Sequence, residues 1–174
     1  MRLQAWPVVV LVIGAVFLLM LVELQVAVFN DRTLRARGAV EPPDDVYRIM
    51  RFAYPGAFLL IGLDALRHEW LSRDVVLLGL VLFGWAKALK FWVIRTLGSR
   101  WSFRVMVVPG LPLITGGPYR WVRHPNYVAV LGEIAAIAVT LSAPVSGVIA
   151  VLGFAWLLRK RILVEERALG LRER

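Results

Sequence analysis

The residues best able to do chemistry are concentrated in one stretch of twelve, Gly116 to Tyr127, which reads GGPYRWVRHPNY. The stretch holds two glycines, two prolines, three aromatic residues, two arginines and one of the chain's two histidines, and an apolar run follows it directly. Arginine can hold an anionic group through paired hydrogen bonds, and an aromatic face can pack against a cation. We therefore predict that this stretch holds polar chemistry at the surface of a membrane.

A carboxylate follows inside the apolar run. A helix that begins near Pro125 would align Asn126, Val130 and Glu133 at i, i+4 and i+7 on one face. Glu133 would then lie roughly 12 Å along the helix from Pro125, at 1.5 Å rise per residue. A carboxylate at that depth in a membrane is costly unless it is paired or hydrated. It is either a functional group or the structural partner of an arginine or tyrosine on a neighbouring helix.

The C-terminal tail offers a second set of polar residues, which includes Arg161, Glu165 and Glu166. Arg161 and Glu165 are spaced i, i+4, but the cation precedes the anion, which is the less favourable order for supporting a helix. If the tail lies beside His124 and Tyr127, its carboxylate could hold an ammonium group and its guanidinium an anionic acceptor. The alternative explanations are a surface ion pair in the tail and a solvated surface histidine at the helix entrance.

The composition excludes several classes of protein and site. The 174 residues are 59% hydrophobic with a mean hydropathy of +0.69, which predicts an integral membrane protein. Without cysteine there are no disulfides, thiol nucleophiles or thiolate ligands, and with two distant histidines we expect no metal site. The net charge of +9 comes from basic residues at the ends of apolar runs, so we expect membrane lipids and not nucleic acid as partners.

Five apolar segments predict an all-α, polytopic membrane helical bundle of about five transmembrane helices. They span residues 6–29, 52–66, 75–94, 127–141 and 144–158. The first is long for a signal peptide, whereas the second has only 15 residues and could be tilted or partly re-entrant. The last two are joined by a short link, which predicts a C-terminal helical hairpin. Lys87 and Lys90 in the third segment are expected to extend towards headgroups, and most of the seven tryptophans to form an aromatic belt.

The distribution of basic residues predicts the orientation. Residues 30–51, 95–126 and 159–174 hold 5, 5 and 6 lysines or arginines, whereas 1–5, 67–74 and 142–143 hold 1, 2 and 0. By the positive-inside rule, the three segments rich in basic residues face the cytoplasm, and so does the cofactor pocket that they are expected to form. We treat the chain as one integrated membrane domain, with three N-terminal spans in residues 1–97. Residues 98–174 then form the cofactor-binding loop, the hairpin and the tail, and 103–108 add at most a short extended piece.

The chemically capable residues together resemble the isoprenylcysteine carboxyl methyltransferase family. The resemblance rests on GPYRWVRHPNY at residues 117–127, on Glu133, and on the later R-x-x-x-E-E of Arg161, Glu165 and Glu166. It implies a small polytopic membrane enzyme that uses S-adenosylmethionine. Residues 92–110 are more similar to the bacterial branch, whose members methylate long-chain alkylpyrones and related polyketide lipids. The implied acceptor is a lipophilic small molecule, or less favourably a prenylated one, that enters from the bilayer of a bacterial cytoplasmic membrane.

The resemblance also implies roles for individual residues. The implied cofactor contacts are Leu113, Ile114, Tyr119, His124, Pro125, Asn126, Tyr127 and Glu165. Arg161 is implied to lie next to the acceptor as a catalytic residue, and Glu166 receives no role. A carboxylate or acidic enol would need no general base, whereas a neutral phenol would need Glu133 or His124 to help take its proton.

Three alternative functions stay open. In a phospholipid N-methyltransferase the acceptor would be an amine, which an arginine beside the acceptor disfavours. A membrane NADPH-dependent reductase is the second, because sterol reductases share a similar C-terminal helical layout. A non-enzymatic membrane subunit is the third.

Overall fold

The structure is a computed structural model, which describes residues 1–171. Five α-helices account for most of the chain, as predicted. They are α1 (Ala5–Ala36), α2 (Tyr47–Ala65), α3 (Arg73–Leu97), α4 (Pro125–Thr140) and α5 (Pro144–Ala168). Each predicted apolar segment coincides with one helix, and α1, α2 and α5 extend well beyond the apolar residues. The predicted continuation of the last helix into the tail is found as far as Ala168, and residues 172–174 lie outside the described residues.

Two prolines begin the last two helices. Pro125 and Pro144 each occupy the first turn, where the missing N–H costs no hydrogen bond and the fixed φ suits a helix. Between them Leu141, Ser142 and Ala143 make the tight link, in which Ser142 takes a positive φ of 52°. The structure therefore contains the predicted hairpin.

A short two-stranded sheet was not predicted. β1 (Arg2–Gln4) pairs antiparallel with β2 (Trp70–Ser72), and the register aligns Leu3 with Leu71. Strands of three residues are too short to leave an alternating pattern in the sequence. The pairing fixes the start of α1 against the start of α3.

Two helices among the described residues are long and apolar enough to cross a membrane. They are α1 and α3, the latter taken with the turn that continues it to Arg100. α4 is a shorter apolar helix, and α2 has 19 residues because it begins at Tyr47, five residues before the predicted segment. Pro55 lies inside α2 without ending it. The arrangement of five spans stays a prediction.

The helices alternate in direction, so the connections lie at two opposite ends of the bundle. At one end β1 meets β2. At the other end Val40 forms an antiparallel bridge with Val107, and the Asn30 amide donates to the Trp101 carbonyl oxygen at 2.8 Å. The bridge joins the α1–α2 and α3–α4 connections, which are two of the segments rich in basic residues, and the Asn30 bond joins α1 to the α3–α4 connection. We call this side the basic end.

α3 and α4 approach each other closely because small residues line their interface. Gly79 lies so near Thr140 that a side chain at residue 79 would meet the threonine backbone, and a Cβ on Gly132 would lie 3.3 Å from the Ala86 methyl. Inside a membrane the hydrophobic effect does not drive helices together, and small residues allow the close packing that stabilises their contact instead. This contact brings the lysines of α3 within reach of α4.

The two lysines of α3 form a buried charge cluster with Glu23 of α1, Tyr54 of α2 and Glu133 of α4. The Lys90 amine lies 2.9 Å from Glu23 Oε2 and 3.1 Å from Glu133 Oε1, and the Lys87 amine lies 2.5 Å from Glu23 Oε1 and 3.1 Å from Glu133 Oε2. Tyr54 donates to Glu133. The expectation that both lysines extend towards headgroups is wrong, because two carboxylates inside the bundle offset their charges.

Candidate active site

The entrance of α4 is built by the residues that precede it. His124 adopts φ −127°, outside the helical region, because Pro125 follows it. Its ring stacks on Tyr127, with ring centroids 5.5 Å apart and planes 16° from parallel. Upstream, Gly117 takes φ +57°, and a Cβ there would collide with Thr96, so this turn requires glycine. The turn carries Tyr119 towards the same end of the bundle.

The C-terminal part of α5 lies beside this entrance. The Tyr127 hydroxyl donates to Glu165 Oε2 at 2.5 Å and accepts a hydrogen bond from Arg161 Nε at 2.9 Å. The His124 ring nitrogens lie 3.7 Å from Glu165 and 3.3 Å from Glu166. The structure thus brings the stretch that ends at Tyr127 next to Arg161, Glu165 and Glu166, which lie some 35 residues later in the sequence.

Arg161 has a further partner that sequence reasoning missed. Its Nη1 lies 3.3 Å from Asp45 Oδ1, and both side chains are almost fully buried, with 6% and 3% of their surface exposed. Asp45 Oδ1 also accepts the N–H of Tyr47 at 3.1 Å, and Oδ2 accepts the N–H of Val105 at 2.9 Å. Asp45 therefore joins the α1–α2 connection, the α3–α4 connection and α5 at one point.

A polar cavity of about 100 Å³ lies over this network. The side chains that could hold a ligand there are Arg100, Trp101, Arg104, Tyr119, His124, Asn126, Tyr127, Arg161 and Glu165. Burial, and next the charge of Glu165, raise the pKa of Tyr119 well above its ordinary value, so this phenol stays neutral and can donate a hydrogen bond. The cavity thus offers aromatic faces, carboxylate and guanidinium within one space.

A larger apolar cavity of about 510 Å³ lies on the other side of the same residues. Its wall is mostly hydrocarbon and comes from α1, α2 and α5, including Phe17, Leu21, Leu24, Pro55 and Phe154. Leu21 and Leu24 also belong to the exposed face of α1. Four residues line both cavities. They are Ser102, Asn126, Tyr127 and Arg161.

The family model described as the isoprenylcysteine carboxyl methyltransferase (ICMT) family matches residues 77–170, which contain α4, α5 and every candidate residue except Asp45. This chain belongs to that family. An uncharacterized protein, YpbQ of Bacillus subtilis (strain 168), is 30% identical over 153 residues, which cover 84% of this chain and 88% of the relative.

A less similar relative comes from Haemophilus influenzae (strain ATCC 51907 / DSM 11121 / KW20 / Rd). This uncharacterized protein is 21% identical over 149 residues, covering 85% of this chain and 87% of its own length. No solved structure matches the chain. Family membership assigns the chain to a group of membrane methyltransferases, and neither relative's name adds a substrate.

The structure groups most, but not all, of the site residues that the ICMT resemblance predicted. Those that line the polar cavity are Tyr119, His124, Asn126, Tyr127, Arg161 and Glu165. Pro125 is buried behind them at the start of α4. Three other predicted residues, all within residues 1–171, line neither cavity: Leu113, Ile114 and Glu133. Leu113 is 47% exposed, and Glu133 lies in the buried charge cluster. Their roles as cofactor contacts and as a catalytic group stay predictions.

Trp101 belongs to the site and not to an aromatic belt. It is only 2% exposed, and its indole N–H donates to the Asn126 side-chain oxygen at 3.4 Å. Asn30 of α1 holds the same residue through the Trp101 carbonyl oxygen. Trp101 is therefore an exception to the belt predicted for most of the tryptophans, because its backbone and its indole are both bound inside the protein. The local sequence does not show whether a tryptophan next to turn residues lies at the membrane interface or is buried in the protein.

Glu41 forms ion pairs with Arg104, which lines the polar cavity, and with Arg35. Arg104 Nη1 lies 2.6 Å from Glu41 Oε1, and Arg35 Nη2 lies 2.8 Å from Glu41 Oε2. Partial burial raises the pKa of Glu41, but the hydrogen bonds from Arg104 and Arg35 outweigh it, so the pKa lies below its ordinary value. The Glu41 carboxylate is thereby kept in its charged form between Arg104 and Arg35.

Proposed function

We propose that this protein transfers a methyl group from S-adenosylmethionine to an oxygen atom of a lipophilic acceptor. The observation that carries the proposal is the wall shared by the two cavities, where Asn126, Tyr127 and Arg161 face a polar space on one side and an apolar space on the other. A reaction between a polar cofactor and a lipid needs such a boundary. The methyl donor and the acceptor can then meet without either leaving its own environment.

The residues that line the polar cavity suit the cofactor by their chemistry. The Glu165 carboxylate accepts one hydrogen bond from Tyr127 and, with 30% of its side chain exposed, can also hold an ammonium group. The faces of Tyr119 and His124 can pack against an adenine ring or a cationic centre. When bound, S-adenosylmethionine supplies a methyl group that is already activated by a sulfonium.

The apolar cavity suits the long chain of the acceptor. Its wall includes Leu21 and Leu24 on the exposed face of α1, so a lipid tail would enter from the bilayer on that side. Arg161, buried at the shared wall, would orient the acceptor oxygen, and the surrounding hydrocarbon would exclude water. Such positioning could contribute several kcal/mol, within a ceiling of about 7–11 kcal/mol for well-oriented reactions.

We further propose that all five helices cross a bacterial cytoplasmic membrane and that the basic end faces the cytoplasm. The alternating helix directions support this arrangement, because they gather the segments with the most lysine and arginine at one end. The polar cavity lies at that end, where the soluble cofactor is found.

The roles of Arg161 and Glu165 can be separated by experiment. Arg161→Gln should lower methyl transfer by about 100-fold or more while cofactor affinity changes little, since a donor at the reacting oxygen is lost. Glu165→Gln should weaken cofactor binding by about 10- to 100-fold, the usual value of a hydrogen bond to a charged group. Arg159→Ala, an exposed residue of the same helix, is the control.

Binding is followed by the cofactor-induced rise in melting temperature, and transfer by the label incorporated into lipid from labelled S-adenosylmethionine. Equal loss of cofactor binding in both variants would contradict the assigned roles. Stabilisation by NADPH instead of S-adenosylmethionine would favour the reductase, and stabilisation by neither would favour a non-enzymatic subunit. Label found in a phospholipid amine would indicate the N-methyltransferase.

A further inference from the structure

The polar cavity must receive both charges of an amino acid if it holds S-adenosylmethionine. The ammonium and the carboxylate of that amino acid are bonded to the same carbon atom, so a cavity that holds the one at Glu165 must also hold the other. A carboxylate that leaves water for a partly buried site is costly unless a cation or several N–H groups receive it. The cavity must therefore provide a cation that no protein carboxylate already occupies.

Three arginines line the polar cavity, and two of them already have carboxylate partners. Arg161 Nη1 lies 3.3 Å from Asp45 Oδ1, and both side chains are almost fully buried. Arg104 Nη1 lies 2.6 Å from Glu41 Oε1, and Arg104 Nε lies 3.5 Å from Asp31 Oδ2. A ligand carboxylate at either arginine would have to displace a protein carboxylate or meet its charge.

The acids that hold these two arginines are themselves held by other groups. Asp45 accepts backbone N–H bonds from Tyr47 at 3.1 Å and from Val105 at 2.9 Å, so moving it would leave two N–H groups without acceptors. Glu41 lies 2.8 Å from Arg35 Nη2 as well. A ligand carboxylate would therefore meet these negative charges and not replace them.

Arg100 differs from the other two arginines of the cavity. It is half-buried and forms no ion pair with any acid in the described part of the chain. Its Nη1 donates to the Pro112 carbonyl oxygen at 2.7 Å, whereas Nε and Nη2 have no acceptor among residues 1–171. These two nitrogens form one edge of the guanidinium, and their parallel N–H bonds match the two oxygens of a carboxylate.

The same guanidinium edge is already in use in the other two arginines. Arg161 Nε donates to the Tyr127 hydroxyl, and Arg104 Nε faces Asp31. The remaining basic side chain of the cavity, His124, lies 3.7 Å from Glu165 and so faces the carboxylate proposed for the ammonium. Arg100 is thus the cation of the cavity that can receive a carboxylate through paired hydrogen bonds.

The backbone that carries Arg100 is fixed in place. Arg100 ends the short turn of residues 98–100 that follows α3, in which Gly98 takes a positive φ of 54°. The Asn30 side chain donates to the carbonyl oxygens of Gly98 and Trp101, at 3.2 and 2.8 Å, and so holds the turn on both sides. The bond to Pro112 then orients the guanidinium. A ligand would meet a donor that is already positioned.

Building on the proposed function, we infer that Arg100 binds the carboxylate of S-adenosylmethionine while Glu165 holds its ammonium. The inference adds a cofactor-binding residue that lies outside the Gly116 to Tyr127 stretch and outside the C-terminal tail. It also gives the cavity a selectivity, because an adenosyl sulfonium without the carboxylate would leave the free edge of Arg100 unused.

The test compares two ligands by equilibrium binding to the full chain in a neutral detergent without acceptor. The ligands are S-adenosylmethionine and decarboxylated S-adenosylmethionine, which share the adenosyl group, the sulfonium and the ammonium. Wild-type protein should bind S-adenosylmethionine about 10-fold or more tightly, the usual value of a hydrogen bond to a charged group. Arg100→Gln should lower this affinity ratio by about 10-fold, because the affinity for the decarboxylated ligand changes little.

Two further variants sharpen the comparison. Arg100→Lys keeps the charge without the paired N–H bonds, so its ratio should lie between those of wild type and Arg100→Gln. Arg37→Gln is the matched control, because Arg37 is exposed and its Nη1 lies 3.4 Å from the hydroxyl of Ser99, the residue before Arg100. Its ratio should equal that of wild type.

A wild-type protein that binds the two ligands equally overturns the inference, even if the Arg100 variants fail to fold. An unchanged ratio in a folded Arg100→Gln variant overturns it as well. A ratio that falls in Arg104→Gln but not in Arg100→Gln would assign the carboxylate to Arg104 and also overturn it. If wild-type protein binds neither ligand, the proposed function fails and the inference with it, whereas binding without discrimination contradicts the inference alone.

Discussion

Removing Lys90 should destabilise the protein more than removing any exposed charge. The Lys90 amine lies 2.9 Å from Glu23, 3.1 Å from both oxygens of Glu133 and 3.3 Å from the Tyr54 hydroxyl. The residue is only 2% exposed. Lys90→Met leaves two buried carboxylates with one remaining lysine. Breaking a buried pair in this way costs about 3–5 kcal/mol, and we expect about 3 because Lys87 still contacts both carboxylates.

Thermal unfolding in detergent provides the assay. A loss of about 3 kcal/mol corresponds to a fall of roughly 6–12 °C in melting temperature for a chain of this size. The double variant Lys90→Met with Glu133→Gln removes one charge of each sign, so it should recover much of this loss. Arg67→Ala is the control, because Arg67 is 83% exposed and lies 3.7 Å from Asp64, a geometry worth about 0–1 kcal/mol.

Two results would refute this reasoning. A melting temperature for Lys90→Met equal to that of Arg67→Ala would mean that the cluster does not bear on stability. A double variant less stable than Lys90→Met alone would mean that Lys90 and Glu133 do not stabilise the protein by pairing with each other. The double variant also tests the catalytic prediction for Glu133, since retained methyl transfer would exclude it.

The other predictions concern helix packing and pH. Gly79→Ala should destabilise the protein by about 1–3 kcal/mol, because the added methyl group would overlap Thr140. Gly84→Ala should be neutral or stabilising by up to about 1 kcal/mol, because no atom lies within 4 Å of the added methyl group. The melting temperatures of the two variants check both expectations. The lowered pKa of Glu41 should add stability that is complete above the ordinary pKa of 4.5 and is lost as pH falls through the folded-state value. The difference in melting temperature between wild type and Glu41→Gln should therefore vanish in acid, and a difference that is constant from neutral to acidic pH would contradict it.

The helices could be predicted because each carries a local signal. An apolar run of 15 residues or more predicts a helix in a membrane bundle, and Pro125 and Pro144 mark where α4 and α5 begin. The close approach of Tyr127 to Glu165 was also predictable, since three linking residues force α5 to return along α4. Both inferences needed only neighbouring parts of the chain.

The partners of buried charges could not be predicted in this way. Lys90 and Glu23 are separated by 67 residues and Asp45 and Arg161 by 116, and no periodicity joins them. A lysine near the end of an apolar run has the same local sequence whether it extends to headgroups or meets a carboxylate. The choice depends on the packing of α3 against α4, which Gly79 and Gly132 allow.

The pairing of Asp45 with Arg161 alters the chemical argument that the sequence supported. A free arginine beside the acceptor favours a carboxylate, which needs no base, and disfavours an amine. A neutralised arginine removes both arguments, and an un-ionised acceptor must lose its proton to a group that faces the cavities. Glu133 does not face them, whereas His124 lines the polar cavity between Glu165 and Glu166. Of the two bases that the sequence offered, the geometry favours His124.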